Sequence, residues 1–551
     1  MLKADLWTKQ STVKVLRNKD YGGEFRHSLP LSVKMAKAEY ESVQLVLTAR
    51  EDVKSYTLAV TDLVSGNGDK ISKESVEIYN VKYIYVKERE NLEHGYFPDA
   101  LLPFEKAIEY KENKIKAGEN QSVWITVKTF ENTPAGIYNG TVNLIVDGEL
   151  EIIPFSVTVW DYAVPKETHV KSDFVIGCNM TVFGENDYSP KMYRAYVERL
   201  MHYRLAPHRI VQDINPPYME GEDFVRTLRE LTAEGKPYLS TISLPVYRFG
   251  DGINEKLYFR YLDALADACM EDNINYMERA AVYCGFIDEP HLNECWDLTN
   301  ATCRRFEELK QIAAENFVSR HQKSQLRDQV KECILSLGNF VTTYFDDRLT
   351  EVKYWCPSFS RLAKEEDRAA YKKSGNELWW YGCGGPTNDC PSYAIGQSTL
   401  LDTRLMHWMQ FDYGIKGSLF WETVMYHMGV WCQEIHCNLK YQIDCYEQAG
   451  RSAGNEGDGF LFYPGKPYGI FGPVDTIRLH AIRDGIEDYE SLLYLETLYN
   501  KAGKSAKEIL RPVYDRLYEG VKIKTDGDKF EDAREYVASL ILDAKKGVYK
   551  D

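Results

Sequence analysis

Cysteine is missing from the first 177 residues and the last 106; all twelve lie between Cys178 and Cys445. A disulfide framework built for secretion would not leave both ends bare, so the expectation is reduced, mostly buried thiols in a cytoplasmic protein. The opening Met1-Leu2-Lys3-Ala4-Asp5 has no apolar signal core. No run approaches the roughly 18 apolar residues that a membrane-spanning helix needs. Basic residues are outnumbered 67 to 83, a net charge of −16. That sign repels phosphate backbones and anionic membranes, so neither nucleic acid nor membrane is expected as a partner. Phosphate-loop, dinucleotide, zinc-protease and serine-elbow motifs are all missing. Cys432, His436 and Cys437 have no second paired cluster at zinc spacing, so no metal and no cofactor is expected.

What is present is a globular chain of 551 residues, 44% hydrophobic, long enough for two or three domains. Aromatics are abundant, with 39 Tyr and 10 Trp. They suit a large core, and equally a carbohydrate site, where sugar C–H faces pack on rings. Residues 1–165 hold short β-branched and aromatic runs separated by turns, such as 42–48, 76–81, 122–127, 140–146 and 152–160. The Asp147-Gly148 dipeptide between two of them is a hairpin signal. This spacing predicts an N-terminal β-sandwich ending at Val164-Pro165-Lys166. Over 166–474, apolar runs alternate with helical patterns. The runs are 173–176, 206–211, 239–244, 280–287, 341–345, 351–355, 378–381 and 417–421, eight in all, which predicts a (β/α)8 barrel. The stretch from Leu298 to Leu337 is charged, helical and free of proline. Residues 475–551 read as a helical segment packed on the barrel, with Asp475 as N-cap.

The segment Ala280 to Ile287 is almost wholly apolar and runs into Asp288-Glu289-Pro290. Such a run reads as a strand buried on both faces, and proline cannot continue it. The two acids then stand at the C-terminal end of a parallel strand, where barrel enzymes keep their catalytic groups. An adjacent pair fits poorly with a glycosidase whose two carboxyls flank the bond about 5–9 Å apart. It fits better with substrate assistance, in which a sugar N-acetyl group is the nucleophile, one acid orients the amide and the other protonates the leaving oxygen. Trp379, Trp380 and Tyr381 run into a glycine-rich turn; at least one ring belongs in the core and at least one can line a barrel mouth. Trp421 and Glu422 end another buried strand and are candidates for a sugar subsite; Glu422 is also the best candidate for a separate nucleophile. Asp458 sits in a glycine-rich loop and is a candidate contact to a sugar hydroxyl.

Several strings together resemble one family. They are Ala38-Glu39-Tyr40-Glu41-Ser42-Val43-Gln44-Leu45-Val46, Tyr96-Phe97-Pro98-Asp99-Ala100-Leu101-Leu102-Pro103 and Pro134-Ala135-Gly136-Ile137-Tyr138-Asn139-Gly140. With them go Asp288-Glu289-Pro290, Trp379-Trp380-Tyr381, Gly457-Asp458-Gly459, Tyr463-Pro464-Gly465 and the 477–489 run that contains Arg483-Asp484-Gly485-Ile486-Glu487-Asp488-Tyr489. The set resembles glycoside hydrolase family 123 and its uncharacterised broader relatives across nearly the whole chain. The resemblance implies a β-sandwich on a (β/α)8 barrel and a retaining, metal-free exo-β-N-acetylgalactosaminidase acting on an oligosaccharide or glycoconjugate glycan. It also implies that Asp288 polarises the 2-acetamido group and stabilises an oxazolinium ion, and that Glu289 is the general acid and then the base. A glycosidase of the same fold for another sugar, and a non-catalytic carbohydrate-binding relative, are the competing readings.

Overall fold

The computed structural model describes residues 2–23, 26–87, 93–177, 184–187, 189–211, 220–246, 252–292, 294–382, 391–396, 399–426, 444–449 and 456–550. The N-terminal part is β-rich and forms two sheets around one apolar core. In the first, Ala4–Gln10, Tyr40–Ala49, Asn120–Lys128, Val76–Val86 and Gly95–Pro103 lie side by side and antiparallel. The second is ordered Leu31–Lys37, Glu149–Ala163, Gly136–Val146, Leu63–Ser65, Lys70–Ile71, with Tyr56–Val60 also on Gly136–Val146. Alternation sends Leu45, Leu47, Val123 and Ile125 of one sheet and Val33, Val142, Leu144 and Val157 of the other into the shared core. Asp147 and Gly148 both have positive φ, 46° and 90°, which is the two-residue turn that the dipeptide predicts. Two late strands, Pro473–Thr476 and Tyr463–Pro464, extend the first sheet beyond Gly95–Pro103.

The middle of the chain holds parallel strands. Lys171–Phe174, Gly417–Phe420, Glu377–Gly382 and Tyr354–Trp355 form one sheet; Ile242–Ser243, Ala280–Tyr283 and Gly338–Phe340 form another. A bridge between Val341 and Trp355 joins the two. Six of the eight expected runs therefore carry a strand, and a seventh strand, Gly338–Phe340, lies just before the run expected at 341–345. The eighth, 206–211, makes only a bridge at Pro207 to Phe174. Pro207 has no N–H to donate, and the contact rests on Phe174 N to Ala206 O, 3.0 Å, and His208 N to Phe174 O, 2.8 Å. Among the described residues the ladder does not close between Lys171–Phe174 and Ile242–Ser243, so the sheets are open. Two predicted edges also move. The strand expected over 341–345 forms earlier, at Gly338–Phe340, and the strand before the acids ends at Tyr283 and passes through a 3-10 turn, Gly285–Ile287.

The helical stretch after Leu298 is two helices, Trp296–Arg320 and Gln325–Leu335. The Ser324 hydroxyl accepts from Arg327 N at 3.1 Å and starts the second. The last long helix is Ile477–Lys501, and its N-cap is Thr476, not Asp475. Asp475 lies in the preceding strand, with its carboxylate taken by Arg199 (Nε to Oδ1, 2.8 Å). Seven described cysteines are free thiols, five of them buried. Among the described residues no helix is long and apolar enough to cross a membrane.

Four segments distant in sequence meet in one buried ionic network. Arg404, on helix Leu400–Tyr413, donates to Glu41 (Nη2 to Oε2, 2.8 Å) and to Asp488 (Nε to Oδ2, 2.7 Å). Arg534, on helix Gly527–Lys545, donates to Glu39 (2.7 Å) and to Asp488 (3.0 Å) and pairs with Glu41 (2.8 Å). All five side chains are at most 6% exposed. Gly485 makes the close approach possible: a Cβ there would stand 2.6 Å from Arg404 O. Burial pushes Glu39 and Asp484 up to about 8, so both hold protons at neutral pH.

The folded state thus keeps protons that the unfolded chain releases near pH 4. Stability from these two groups is full below about pH 4 and is lost as pH rises through about 8. The thermal midpoint should fall from pH 5 to pH 9, and Asp484→Asn should flatten that fall; an unchanged slope in the variant would assign the effect elsewhere. Arg404→Met should cost about 3–5 kcal/mol, because it leaves buried carboxylates unpaired, and denaturant titration measures this.

Candidate active site

The two acids stand past the C-terminal end of Ala280–Tyr283, at a turn the backbone is forced to make. Glu289 has φ +43°, a left-handed conformation that costs a side-chain-bearing residue about 1–2 kcal/mol. In a regular strand, adjacent side chains face opposite ways; here the turn at Glu289 and Pro290 ends that alternation. Asp288 is exposed and Glu289 half-buried.

Each carboxyl is held by one oxygen. Asp288 Oδ1 accepts from Tyr283 Oη at 3.0 Å and from Thr342 Oγ1 at 2.5 Å. Glu289 Oε1 accepts from the hydroxyl of Tyr381, on strand Glu377–Gly382. Thr342 also receives Glu289 N at 3.4 Å, so one buried hydroxyl touches both residues. Neither Asp288 Oδ2 nor Glu289 Oε2 has a partner among the described residues. Below them, His208 sets its ring edge-on to Tyr283, centroids 5.9 Å apart. Its Nδ1 is 2.9 Å from Asp173 Oδ1, and Ser243 Oγ donates to Asp173 Oδ2 at 2.6 Å. Burial pushes the Cys356 thiol well up, and the charges of Asp173 and Asp288 both add to that.

The three consecutive aromatics divide as strand geometry requires. Trp379 and Tyr381 share the inner face with Ala281, Phe340 and Leu419; Trp379 is 1% exposed and stacks on Phe340 at 4.0 Å. Trp380 turns the other way into the main core, donates to Ser418 Oγ at 2.9 Å and packs edge-on against Phe359. Of the three, Tyr381 meets the acids. Trp421 and Asp458 form a second group, with Nε1 donating to Oδ2 at 3.2 Å. Asp458 is flanked by Gly457 and Gly459, φ +79° and +77°. Glu422 is buried, and its Oε1 accepts three backbone N–H groups, from Gly177, Thr423 and Val424, at 2.8–2.9 Å. A Cβ on Gly177 would stand 2.0 Å from its Oε2. Burial pushes Glu422 up to about 7, and its three backbone donors tie it between two loops.

Sequence reasoning passed over Thr342, Tyr283, Asp173 and His208. All four lie in or just after the strand-forming runs, where a polar side chain in an apolar run was the available signal. Among the described residues no three His, Cys, Asp or Glu side chains form a metal-binding group. Cys432, His436 and Cys437 lie outside the described residues.

The site and fold define a class: an α/β enzyme with an acid pair at the end of a parallel strand. Comparison with known proteins gives the family. Residues 27–146 match the glycoside hydrolase 123 N-terminal domain, and residues 234–495 match the glycoside hydrolase 123 catalytic domain. The chain belongs to glycoside hydrolase family 123. Its fold is similar to that of a family 123 glycoside hydrolase from Clostridium perfringens, solved to detail glycolipid glycan hydrolysis. The TM-score is 0.62 at 15% identity, covering 99% of each chain. The CooA pilin subunit from enterotoxigenic Escherichia coli overlaps 29% of this chain and 99% of its own, at 12% identity and TM-score 0.17, too low to carry argument. No curated protein matches. The catalytic-domain match supports glycosidase activity.

The left-handed turn is testable without any substrate. Glu289→Gly and Glu289→Ala both remove the carboxyl, but only glycine adopts φ +43° freely. The glycine variant should be the more stable of the two by about 1 kcal/mol. Equal thermal midpoints would mean that the turn carries no strain.

Proposed function

We propose that this protein removes terminal β-linked N-acetylgalactosamine from a glycan by a retaining, substrate-assisted reaction. The observation that carries the proposal is the half-occupied state of each acid. Asp288 keeps Oδ1 on Tyr283 and Thr342 and has Oδ2 for the acetamido N–H of a bound sugar. Accepting that hydrogen raises electron density on the acetamido oxygen, which attacks C1. Glu289, anchored through Oε1 by Tyr381, has Oε2 to deliver a proton to the glycosidic oxygen as the C1–O bond breaks. The products of this step are the free aglycone alcohol and an oxazolinium ion whose positive charge Asp288 stabilises. Glu289, now a carboxylate, takes a proton from water; the water oxygen attacks C1, the oxazoline opens, and the β-configuration is restored.

A separated nucleophile is disfavoured because Glu422, the available candidate, is held by three backbone N–H groups and pushed up to about 7. Trp421 and Asp458 are proposed as further sugar contacts, on the strength of their mutual hydrogen bond at a glycine-flanked loop. The scaffold is read as a (β/α)8 barrel, supported by seven parallel strands in the expected order.

The first test is release of p-nitrophenol from its β-N-acetylgalactosaminide, with the β-glucosaminide and β-galactoside alongside. The wild type should turn over the first, and Glu289→Gln should lose at least about a hundredfold in kcat, as removal of a general acid does. Asp288→Asn should lower kcat with little change in KM; unchanged kcat would exclude its role. A thiazoline mimic of the bicyclic intermediate should inhibit competitively below millimolar concentration. Turnover of the galactoside, which has no acetamido group, at a comparable rate would sink the substrate-assisted mechanism.

A further inference from the structure

The Asp173–His208 pair is not used by the chemistry above, yet His208 packs against Tyr283, which donates to the acid that would hold the substrate amide. Asp173 is 1% exposed, a buried carboxyl whose two oxygens are both engaged. Ser243 donates to Oδ2, and Nδ1 of His208 lies at hydrogen-bond distance from Oδ1. With Nδ1–H directed at Asp173, the tautomer and ring orientation of His208 are set, and Nε2 is the free ring atom. The ring is further located by its edge contact with Tyr283. His208 is 13% exposed, and Nε2 has no protein partner among the described residues and is not among the sealed, unpartnered atoms. A buried carboxylate, a serine and a tyrosine thus hold one imidazole with its far nitrogen open.

The contacts run in a fixed order: Tyr381 to Glu289, Glu289 beside Asp288, Asp288 to Tyr283, Tyr283 to His208. A 2-acetamido sugar presents its groups in the same sense: the glycosidic oxygen on C1, the acetamido group on C2, then hydroxyls on C3 and C4. With Glu289 at the first and Asp288 at the second, the next position along the protein is the imidazole. We propose that His208, held by Asp173, is a specificity-determining residue whose Nε2 hydrogen-bonds the C3 or C4 hydroxyl of the sugar. The inference rests on the roles given above to Asp288 and Glu289. Asp173 acts through His208 and is a positioning residue.

The test is a cycle between protein and substrate. On p-nitrophenyl β-N-acetylgalactosaminide, His208→Ala should lower kcat/KM by about ten- to hundredfold, since the loss of one hydrogen-bond partner from a built polar site has that effect. His208→Gln, which keeps bulk and a polar end, should fall between wild type and alanine. On either the 3-deoxy or the 4-deoxy substrate the penalty should shrink to less than about threefold, while on the 6-deoxy control it should stay whole. The deoxy substrate that abolishes the penalty names the hydroxyl. Asp173→Asn should show the same substrate pattern at smaller size. An equal penalty on all four substrates would make His208 a packing residue and overturn the proposal, as would no penalty at all. If the wild type turns over none of them, the proposed function falls on its own account. The pair is then judged by the 15N imidazole signals of His208 titrated with N-acetylgalactosamine and galactose. A shift with either sugar retains His208 as a sugar contact, and no shift with both rejects it.

Discussion

The structure depends on the buried ionic network around Arg404 and Arg534. Two guanidinium groups, each with five donors in a rigid fork, face carboxylates from a strand of the N-terminal sheet and from the long helix Ile477–Lys501. A buried ion pair is weak evidence for stability, because desolvation offsets attraction. Its value here is registry. Arg404 can satisfy Glu41 and Asp488 together only if the sheet, helix Leu400–Tyr413 and helix Ile477–Lys501 meet in one arrangement. A one-residue slip of the strand would send Glu41 to the other face and leave Arg404 with Asp488 but without its partner on the strand. Burial pushes the carboxyls of Glu39, which pairs with Arg534, and of Asp484 upward.

A second clamp of the same kind reaches the site. Asp99, fully buried, accepts Nε and Nη2 of Arg478, both at 2.7 Å, and the Tyr463 hydroxyl at 2.7 Å. Arg478 Nη1 also donates to Gly457 O at 2.8 Å and to Tyr393 O at 2.6 Å. One guanidinium thus ties the N-terminal sheet to the loop that presents Asp458. A Cβ at Gly457 would stand 2.4 Å from Ile395, so only glycine passes there. The N-terminal sheet therefore helps support the loop that carries Asp458, and the strands Tyr463–Pro464 and Pro473–Thr476 extend that sheet.

These clamps explain what could be read from the sequence and what could not. The strings that mark the family contain Glu39, Glu41, Asp99, Tyr463, Arg478, Asp484 and Asp488, and each of these residues serves one of the two clamps. Buried charges that must be satisfied in one geometry leave little room for substitution, so the strings are legible. The strand runs were legible for the same local reason, alternation or continuous apolarity, and the Asp147-Gly148 turn because only certain residues accept positive φ twice. Cap and edge positions were not. Asp475 and Thr476 are both good caps by side chain, and the choice fell to Thr476 because Arg199, from helix Pro190–His202, engages Asp475. The Asp288–Glu289 pair stood out by its position after an apolar run. Thr342, Tyr283, Asp173 and His208 did not, since their meeting depends on the spatial order of strands that one sequence does not state.

At the candidate site, two adjacent acids are given different surroundings. Strand geometry alone would point them apart, and a helical turn would crowd them; the left-handed Glu289 does neither. Their hydrogen-bond partners differ as well. Asp288 receives two hydroxyl donors on one oxygen, from Tyr283 and Thr342. Glu289 receives a single hydroxyl, from Tyr381 on another strand, which fixes the carboxyl through Oε1. Because Thr342 touches both residues, one buried side chain on a neighbouring segment ties the two acids together, beside the exposed turn that joins them. Rigid elements thus impose the geometry, and the backbone strain falls on the one residue that must be turned.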